Sequence, residues 1–229
     1  MMSRPPDEWP PAERTRAWYQ ANARHYDRHN PGLPGDRDFY AALCRGARVL
    51  EIGAGTGRIT EAIAGVARTV IAVDNVAAML AIARRRLGHI PTVAFVVADT
   101  GNLPVSCTVD RIILAYRTVQ HLTPAVRLRL WQVVRSQFAQ GGMAAFDTWH
   151  GPVSVGHKGQ TIAIAHLSVS DLRAELAASG LQVFGPRSSF IGCEDQDSLT
   201  RVWVVTPRRD AEKSGEKFHE VLDTRSRRI

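Results

Sequence analysis

Cysteine is rare in this 229-residue sequence: Cys44, Cys107 and Cys193 stand far apart and form no CxxC pair. This pattern provides no disulfide framework and favours a reducing, cytoplasmic compartment. No apolar run approaches the roughly 18 consecutive residues that a membrane span requires. The N-terminal residues are polar and proline-rich, without the apolar core of a signal peptide. We therefore expect a soluble cytoplasmic protein with no membrane partner.

Lysine is also scarce, because it occurs only three times among the 29 basic residues and arginine supplies the rest. The net charge of +7 and the pI of about 9.9 make a nucleic-acid partner worth considering. The arginines are scattered, however, apart from short runs such as those at 84–86 and 227–228. A scattered distribution favours a solvated basic surface over a nucleic-acid site.

Apolar segments that predict strands alternate with segments of helical periodicity along the middle of the chain. Such an alternation is typical of a parallel sheet covered by helices on both faces. We predict strands at 47–53, 69–74, 92–99, 110–117 and 143–149, and helices at 58–67, 76–87 and 124–140.

The pattern changes after residue 149. A strand is predicted at 161–166, followed by a helix at 170–179. Ser168 or Ser170 is the expected N-cap of that helix, and Gly180 is expected just past its end. Strands at 181–185 and 201–206 would complete the main sheet. The predicted fold class is therefore α/β, with a doubly wound, mostly parallel sheet of seven strands.

The two ends of the chain do not share this alternation. Residues 1–11 hold four of the twelve prolines and are predicted to be a disordered lead-in. An amphipathic helix is predicted at 12–29 from the helical spacing of its aromatic residues, before a short helix at 37–44. Residues 207–229 carry charges of both signs and are predicted to be a mobile tail. No linker divides residues 12–206, so we expect a single domain.

The most informative segment is VLEIGAGTGRIT, in which a predicted strand runs into Glu51 and a helix begins near Arg58. Gly53, Gly55 and Gly57 occupy alternate positions, where glycine permits positive φ and a close approach of ligand to backbone. A dinucleotide site would show GxGxxG instead, and neither register of these glycines fits that pattern. A ligand bound by this loop would lie over the carboxyl ends of the strands.

With this loop, the chain resembles the class I S-adenosylmethionine-dependent methyltransferases, and the resemblance covers about residues 19–206. EIGAGTG is similar to the family's first motif, VDNVAAML to the second, VVADTGNLP to the third and DRIILAYRTVQHL to the fourth. HLSVSDLRAELAASGLQV looks like its late helix–strand unit. The resemblance implies S-adenosylmethionine as cofactor, S-adenosylhomocysteine as product, and a methyltransferase domain at 12–206 in which residues 12–45 form a helical lid.

The resemblance also implies roles for particular residues. Asp74 would accept hydrogen bonds from both ribose hydroxyls, although it could merely cap the following helix. Asp99 would accept from the adenine amino group, although it could be only a turn residue. The other expected cofactor contacts are Glu51, Gly53, Ala54, Gly55, Gly57, Asn75, Thr100, Ala115 and Tyr26.

The expected acceptor site lies beside the fourth motif. His121 is the candidate general base because the pKa of histidine is near neutrality, although it could instead hydrogen-bond the backbone. Tyr19 of the lid, Trp149 and His150 are expected to contact the acceptor. A set of His121, Asp147, His150 and His157 does not suit Mg²⁺, which prefers oxygen ligands, so no metal is expected.

A small-molecule acceptor is favoured over nucleic acid. The segment AYRTVQH after the fourth predicted strand lacks the Asp/Asn-Pro-Pro-aromatic motif with which related enzymes hold an extruded base. Cys107 precedes that strand, so it is badly placed as a nucleophile for base methylation. We predict methylation of an oxygen or nitrogen on a natural product or metabolite, by a monomer or homodimer. The alternatives are an RNA- or protein-directed enzyme, and a cofactor-binding protein or cyclase that transfers no methyl group.

Overall fold

The computed structural model describes residues 12–103, 108–151, 155–157, 160–162, 164–191 and 198–208. The predicted lead-in at 1–11, and the predicted tail beyond residue 208, lie outside these residues. No helix in the described ranges is both long enough and apolar enough to cross a membrane.

The N-terminal segment is helical but interrupted. Helix α1 spans Ala12–Asn22, a 3-10 turn spans Ala23–His25, α2 spans Tyr26–His29 and α3 spans Asp36–Cys44. The single helix predicted over 12–29 is therefore wrong in its continuity. The side chain of Asn22 donates to the Trp18 carbonyl at 2.9 Å and that of Asn30 to the Tyr26 carbonyl at 2.9 Å. Such side-chain bonds compete with the helical backbone ladder and mark the two places where it stops.

The central part of the chain alternates strands and helices as the sequence predicts. The helix ends are shorter than predicted by up to three residues, and β5 begins five residues before its predicted start at Met143. The strands are β1 Arg48–Ile52, β2 Thr69–Asp74, β3 Val93–Val97, β4 Val109–Leu114 and β5 Phe138–Trp149, and the helices are α4 Arg58–Ala64, α5 Ala77–Leu87 and α6 Pro124–Gln137.

The predicted strand at 161–166 is wrong at residues 164–166, which are not in a strand. Strands β6 (Val155–His157) and β7 (Gln160–Ile162) form a separate antiparallel pair. Past them, the Ala165 N–H donates to the Gln120 carbonyl at 2.9 Å, and the Gln120 side chain donates to the Ala165 carbonyl at 2.7 Å. Because Gln120 satisfies this backbone, the segment needs no neighbouring strand.

The last part of the chain forms α7 (Val169–Ala178), β8 (Leu181–Arg187) and β9 (Thr200–Pro207). Ser168 is the N-cap of α7, since its hydroxyl accepts from the Asp171 N–H at 3.0 Å. Gly180 follows the helix with a φ of 76°. Both capping predictions are confirmed.

The main sheet has seven strands in the order β3-β2-β1-β4-β5-β9-β8, which confirms the predicted fold class. Strands β1 to β5 pair in parallel, and β9 runs antiparallel between β5 and β8. Strand order reverses between β1 and β4, so the loops after these strands diverge and leave a crevice at the carboxyl edge.

Helices cover both faces of the sheet. One apolar cluster joins α3, α4 and α5 to the sheet through residues such as Tyr40, Ile63 and Leu80. The other joins α6 and α7 to the opposite face through residues such as Trp131 and Leu176. The site at the carboxyl edge therefore rests on strands whose positions are set from both sides.

Candidate active site

The loop after β1 has a backbone that requires glycine. Gly53, Gly55 and Gly57 have φ angles of 76°, 57° and 86°, in the left-handed region. A Cβ on Gly53 would lie 2.5 Å from the Thr118 hydroxyl, and one on Gly57 would lie 2.9 Å from the Ala83 methyl. Beside Gly55 the nearest atom is the Met79 methyl, at 3.7 Å. Two of the glycines thus allow close packing, whereas the middle one leaves open space in the pocket.

Asp74, at the end of β2, faces this loop. One carboxylate oxygen accepts from the Gly55 N–H at 2.8 Å, and the other accepts from the Val76 N–H at 2.8 Å. Burial raises the pKa of Asp74 above its usual range. The backbone bonds orient both oxygens, and each oxygen retains a lone pair for a further donor. Asp74 therefore caps the turn before α5 and also presents its carboxylate to the pocket.

Asp99, just after β3, also combines two features. Its carboxylate accepts from the Gly101 N–H at 2.7 Å, as expected of a turn residue. Its side chain is exposed and, with Thr100, lines the pocket. The turn and the adenine contact are therefore compatible roles for one carboxylate.

Glu51 lies at the floor of the pocket, on β1. Its carboxylate is buried and accepts from the Thr60 hydroxyl at 2.7 Å. Burial, only partly offset by this bond and by Arg58, raises the pKa of Glu51 to about 7. A cation placed above the floor would favour the ionised form.

Helix α1 is bonded to the loop after β4. The Tyr19 hydroxyl lies 3.1 Å from His121 Nε2, and their rings meet edge to face at 5.6 Å. Burial, and secondarily Arg117, lowers the pKa of His121 to about 4. Burial raises the pKa of Tyr19, so both groups are neutral near pH 7. His121 Nδ1 is buried and has no hydrogen-bond partner in the described part of the chain.

The N-terminal segment is also held at α2. Asp27 accepts from the Thr56 hydroxyl in the glycine loop and forms an ion pair with Arg86 of α5 at 3.2 Å. Tyr26, one residue earlier, meets the Tyr19 ring at 5.8 Å. The N-terminal helices thus cover the crevice rather than project from it.

Asp147 of β5 organises the loop after β4. Its carboxylate accepts from the N–H groups of Tyr116 at 2.6 Å and Arg117 at 3.0 Å, and from the Tyr40 hydroxyl at 3.3 Å. Tyr116 and Arg117 have positive φ angles of 56° and 69°, which non-glycine residues rarely adopt. Burial raises the pKa of Asp147 to about 6. The residue holds a turn and is not arranged as a metal ligand.

The structure brings most of the predicted site residues into one pocket. Asn75, Ala54 and Ala115 lie in its walls, together with Tyr26. The predicted members that line it are Tyr19, Tyr26, Glu51, Gly53, Ala54, Gly55, Asp74, Asn75, Asp99, Thr100, Ala115 and His121.

Three predicted residues are placed elsewhere. Gly57 contacts α5 rather than the pocket. Trp149 packs its ring against the Arg117 guanidinium at 4.7 Å. The His150 ring lies 2.9 Å from the Thr148 hydroxyl and packs on His166, away from the pocket. Trp149 and His150 are at the strand end as predicted, but their side chains do not line the cavity. The sequence does not show the direction of a side chain.

Other lining residues were not predicted. Tyr116 and Thr118 lie in the fourth motif close to Ala115, so their position in the sequence could have predicted that they line the pocket. Thr15 and Arg16 lie about one helical turn before Tyr19 and share its face. Arg58 also lines the pocket, with both guanidinium arms bonded to Asp36 at 2.9 and 2.7 Å. Among the described residues, no group of three His, Cys, Asp or Glu side chains could hold a metal.

Comparison with known proteins agrees with this geometry. Residues 49–142 match the family model described as a methyltransferase domain. No curated protein sequence matches the chain significantly.

Several solved structures share the fold. The DhpI–SAH complex is 25% identical and covers 86% of this chain and 96% of that one, with a TM-score of 0.67. The CcbJ methyltransferase from Streptomyces caelestis is 18% identical and covers 81% and 96%, with a TM-score of 0.69. The glycopeptide N-methyltransferase MtfA is 18% identical and covers 80% and 99%, with a TM-score of 0.62.

Proposed function

We propose that the chain is a class I S-adenosylmethionine-dependent methyltransferase that methylates an oxygen or nitrogen of a small molecule, either a natural product or a metabolite. The observation that supports this acceptor class best is the contact between Tyr19 and His121. This contact joins α1 to the loop after β4, so aromatic side chains enclose the crevice. A polymeric acceptor would instead need an open groove. The similarity to a glycopeptide N-methyltransferase is consistent with this class.

The residues that line the pocket suit the chemistry of the cofactor. The cofactor supplies a methyl group that its sulfonium ion already activates, so the protein mainly has to align the acceptor with it. We assign the ribose hydroxyls to the carboxylate of Asp74 and the adenine amino group to that of Asp99. The open space beside Gly55 would receive the cofactor against the backbone, and Glu51 would offset positive charge.

His121 would take the proton of an oxygen acceptor through Tyr19. If Nδ1 carries the ring proton, a tautomer that we assign rather than observe, the Tyr19 hydroxyl donates to Nε2. The tyrosine oxygen can then accept the acceptor's proton while its own proton passes to Nε2. The pKa of about 4 makes His121 a weak base, so we expect alignment to supply most of the rate.

The His121→Ala substitution tests this role. Turnover with an oxygen acceptor should fall by about 10²-fold, the lower end for general base catalysis, while the affinity for S-adenosylhomocysteine changes little. The loss should shrink at high pH, where solvent takes the proton. His89→Ala, at an exposed position outside the pocket, is the matched control. A loss that is independent of pH and below about fivefold would remove His121 from the proton path.

Turnover with candidate acceptors tests the function itself. The protein is incubated with S-adenosylmethionine and a panel of hydroxyl- and amine-bearing small molecules, and methylated product is followed by mass spectrometry. The net charge of +7 makes RNA the main competing acceptor. Methylation of RNA or protein alone, with a salt-dependent shift of labelled RNA, would contradict the small-molecule assignment. Cofactor binding without turnover of any acceptor would favour a binder or a cyclase.

A further inference from the structure

Arg117 is a cation held between two aromatic rings. Its guanidinium carbon lies 5.1 Å from the centre of the Tyr116 ring and 4.7 Å from that of Trp149. Both distances are within the range of cation–π attraction, which holds the guanidinium in place. The edge of the guanidinium, which carries the N–H donors, is not used by these contacts.

One donor of Arg117 has no acceptor in the part of the chain that the structure describes. Its Nε is buried without a hydrogen-bond partner, and no ion pair within the described ranges includes Arg117. Two other arginines with little exposure are paired, Arg58 with Asp36 at 2.7 Å and Arg127 with Glu175 at 2.7 Å. A buried donor left unpaired costs free energy, which a bound oxyanion would recover.

The backbone that presents Arg117 is also unusual. Tyr116 and Arg117 both have positive φ, and the buried Asp147 carboxylate holds both N–H groups. That carboxylate already accepts from these two N–H groups and from the Tyr40 hydroxyl. Strained turns persist where the surrounding structure enforces them, and they concentrate at functional sites.

The position of Arg117 places it beside the reacting end of the pocket. Tyr116, against which it packs, lines the pocket, and so does His121 four residues later. Trp149, on its other side, ends β5 next to β4. The guanidinium thus lies near Tyr116, which lines the pocket, and near Trp149 at the end of β5.

We propose that Arg117 binds an oxyanion of the acceptor, a carboxylate or a phosphoryl group, so that the substrates are acidic small molecules. This inference rests on the proposed function, because it concerns the acceptor. A guanidinium edge donates two parallel hydrogen bonds to such a group, which gives orientation as well as affinity. The anion would also balance the positive charge of the cofactor's sulfonium ion in a partly enclosed space.

Calorimetry on the protein loaded with S-adenosylhomocysteine tests the proposal with simple probes. Benzoate and methylphosphonate represent the two oxyanions, and benzamide is the neutral analogue of benzoate. At least one anion should bind about tenfold more tightly than benzamide, as expected for a charge-assisted pair, and the tighter anion identifies the group. If neither anion binds more tightly than benzamide, the proposal is wrong.

Variants separate Arg117 from a general effect of positive charge. Arg117→Gln should abolish the preference for the anion, and Arg117→Lys should retain only part of it because lysine lacks the fork. Arg45→Gln removes an exposed charge far from the pocket and should change nothing. An anion preference that survives in Arg117→Gln would overturn the assignment. If that variant does not fold, the comparison of probes on the unmodified protein still decides.

These binding measurements do not depend on turnover. Equal binding of anion and neutral probe contradicts the oxyanion site alone. A panel in which no small molecule is methylated contradicts the proposed function, whether or not Arg117 binds an anion.

Discussion

Replacing Asp74 by alanine should weaken the binding of S-adenosylhomocysteine by about 1.5–3 kcal/mol, or about tenfold to 150-fold. The estimate assumes that the carboxylate accepts from both ribose hydroxyls, since charge-assisted hydrogen bonds contribute this much. The structure adds a second effect. The same oxygens hold the Gly55 and Val76 N–H groups, each at 2.8 Å, so the glycine loop would also lose its anchor.

Two further variants separate these effects. Asp74→Asn keeps one acceptor oxygen but turns an amide N–H₂ toward a backbone donor, so its affinity should lie between those of the wild type and Asp74→Ala. Asp110 lies outside the pocket, and its carboxylate also accepts from a backbone N–H, that of Arg48 at 2.9 Å. Asp110→Ala removes this carboxylate and is the control. Asp110→Ala should lower stability without changing cofactor affinity.

Titration calorimetry measures the dissociation constants, and urea unfolding measures the stability of each variant. If Asp74→Ala binds S-adenosylhomocysteine within about threefold of the wild type, a difference well below one charge-assisted bond, the ribose assignment is refuted. Asp74 would then serve only to cap the turn before α5.

Two other perturbations test the glycine loop and the floor of the pocket. Gly55→Ala should lower cofactor affinity with a modest loss of stability. Gly57→Ala, whose Cβ would lie 2.9 Å from Ala83, should mainly destabilise the fold. The loop assignment would be contradicted if calorimetry and unfolding showed the larger loss of affinity in Gly57→Ala and the larger loss of stability in Gly55→Ala. Burial raises the pKa of Glu51 from 4.5 to about 7, so the folded protein holds this proton more tightly than the unfolded chain. The stability of the wild type should therefore fall by about 2–3 kcal/mol relative to that of Glu51→Gln as pH rises from about 5 to about 8. If the free energies of urea unfolding of the two proteins change equally across that pH range, the pKa of Glu51 is not raised.

The sequence predicted strand bounds and helix caps well where these depend on neighbouring residues. Strand β2 has the predicted bounds, Thr69–Asp74, because a short apolar run between turn residues is a strand by itself. Ser168 and Gly180 end α7 as predicted because capping depends on the conformation of one or two residues.

Long-range pairing explains where the prediction of the fold was wrong. The segment 138–140 was predicted as the end of a helix, but Phe138 pairs with Val109 of β4 and begins β5. The backbone of Ala165 is satisfied by Gln120, so that segment is not a strand. Neither partner is visible from the residues near 138 or 165.

The sequence alone determined the alternation of strands and helices and the glycine loop with Asp74 at its side, because these depend on backbone conformation and local spacing. Only the tertiary structure decided how the reacting end is built. The Tyr19–His121 contact joins residues 102 positions apart, and Asp147 reaches Tyr116 across 31 positions. The low pKa of His121, and an Arg117 Nε without a partner in the described part of the chain, follow from burial and from neighbours on other elements. Solvation and charge at a site are properties of the assembled surroundings, so no local pattern can carry them.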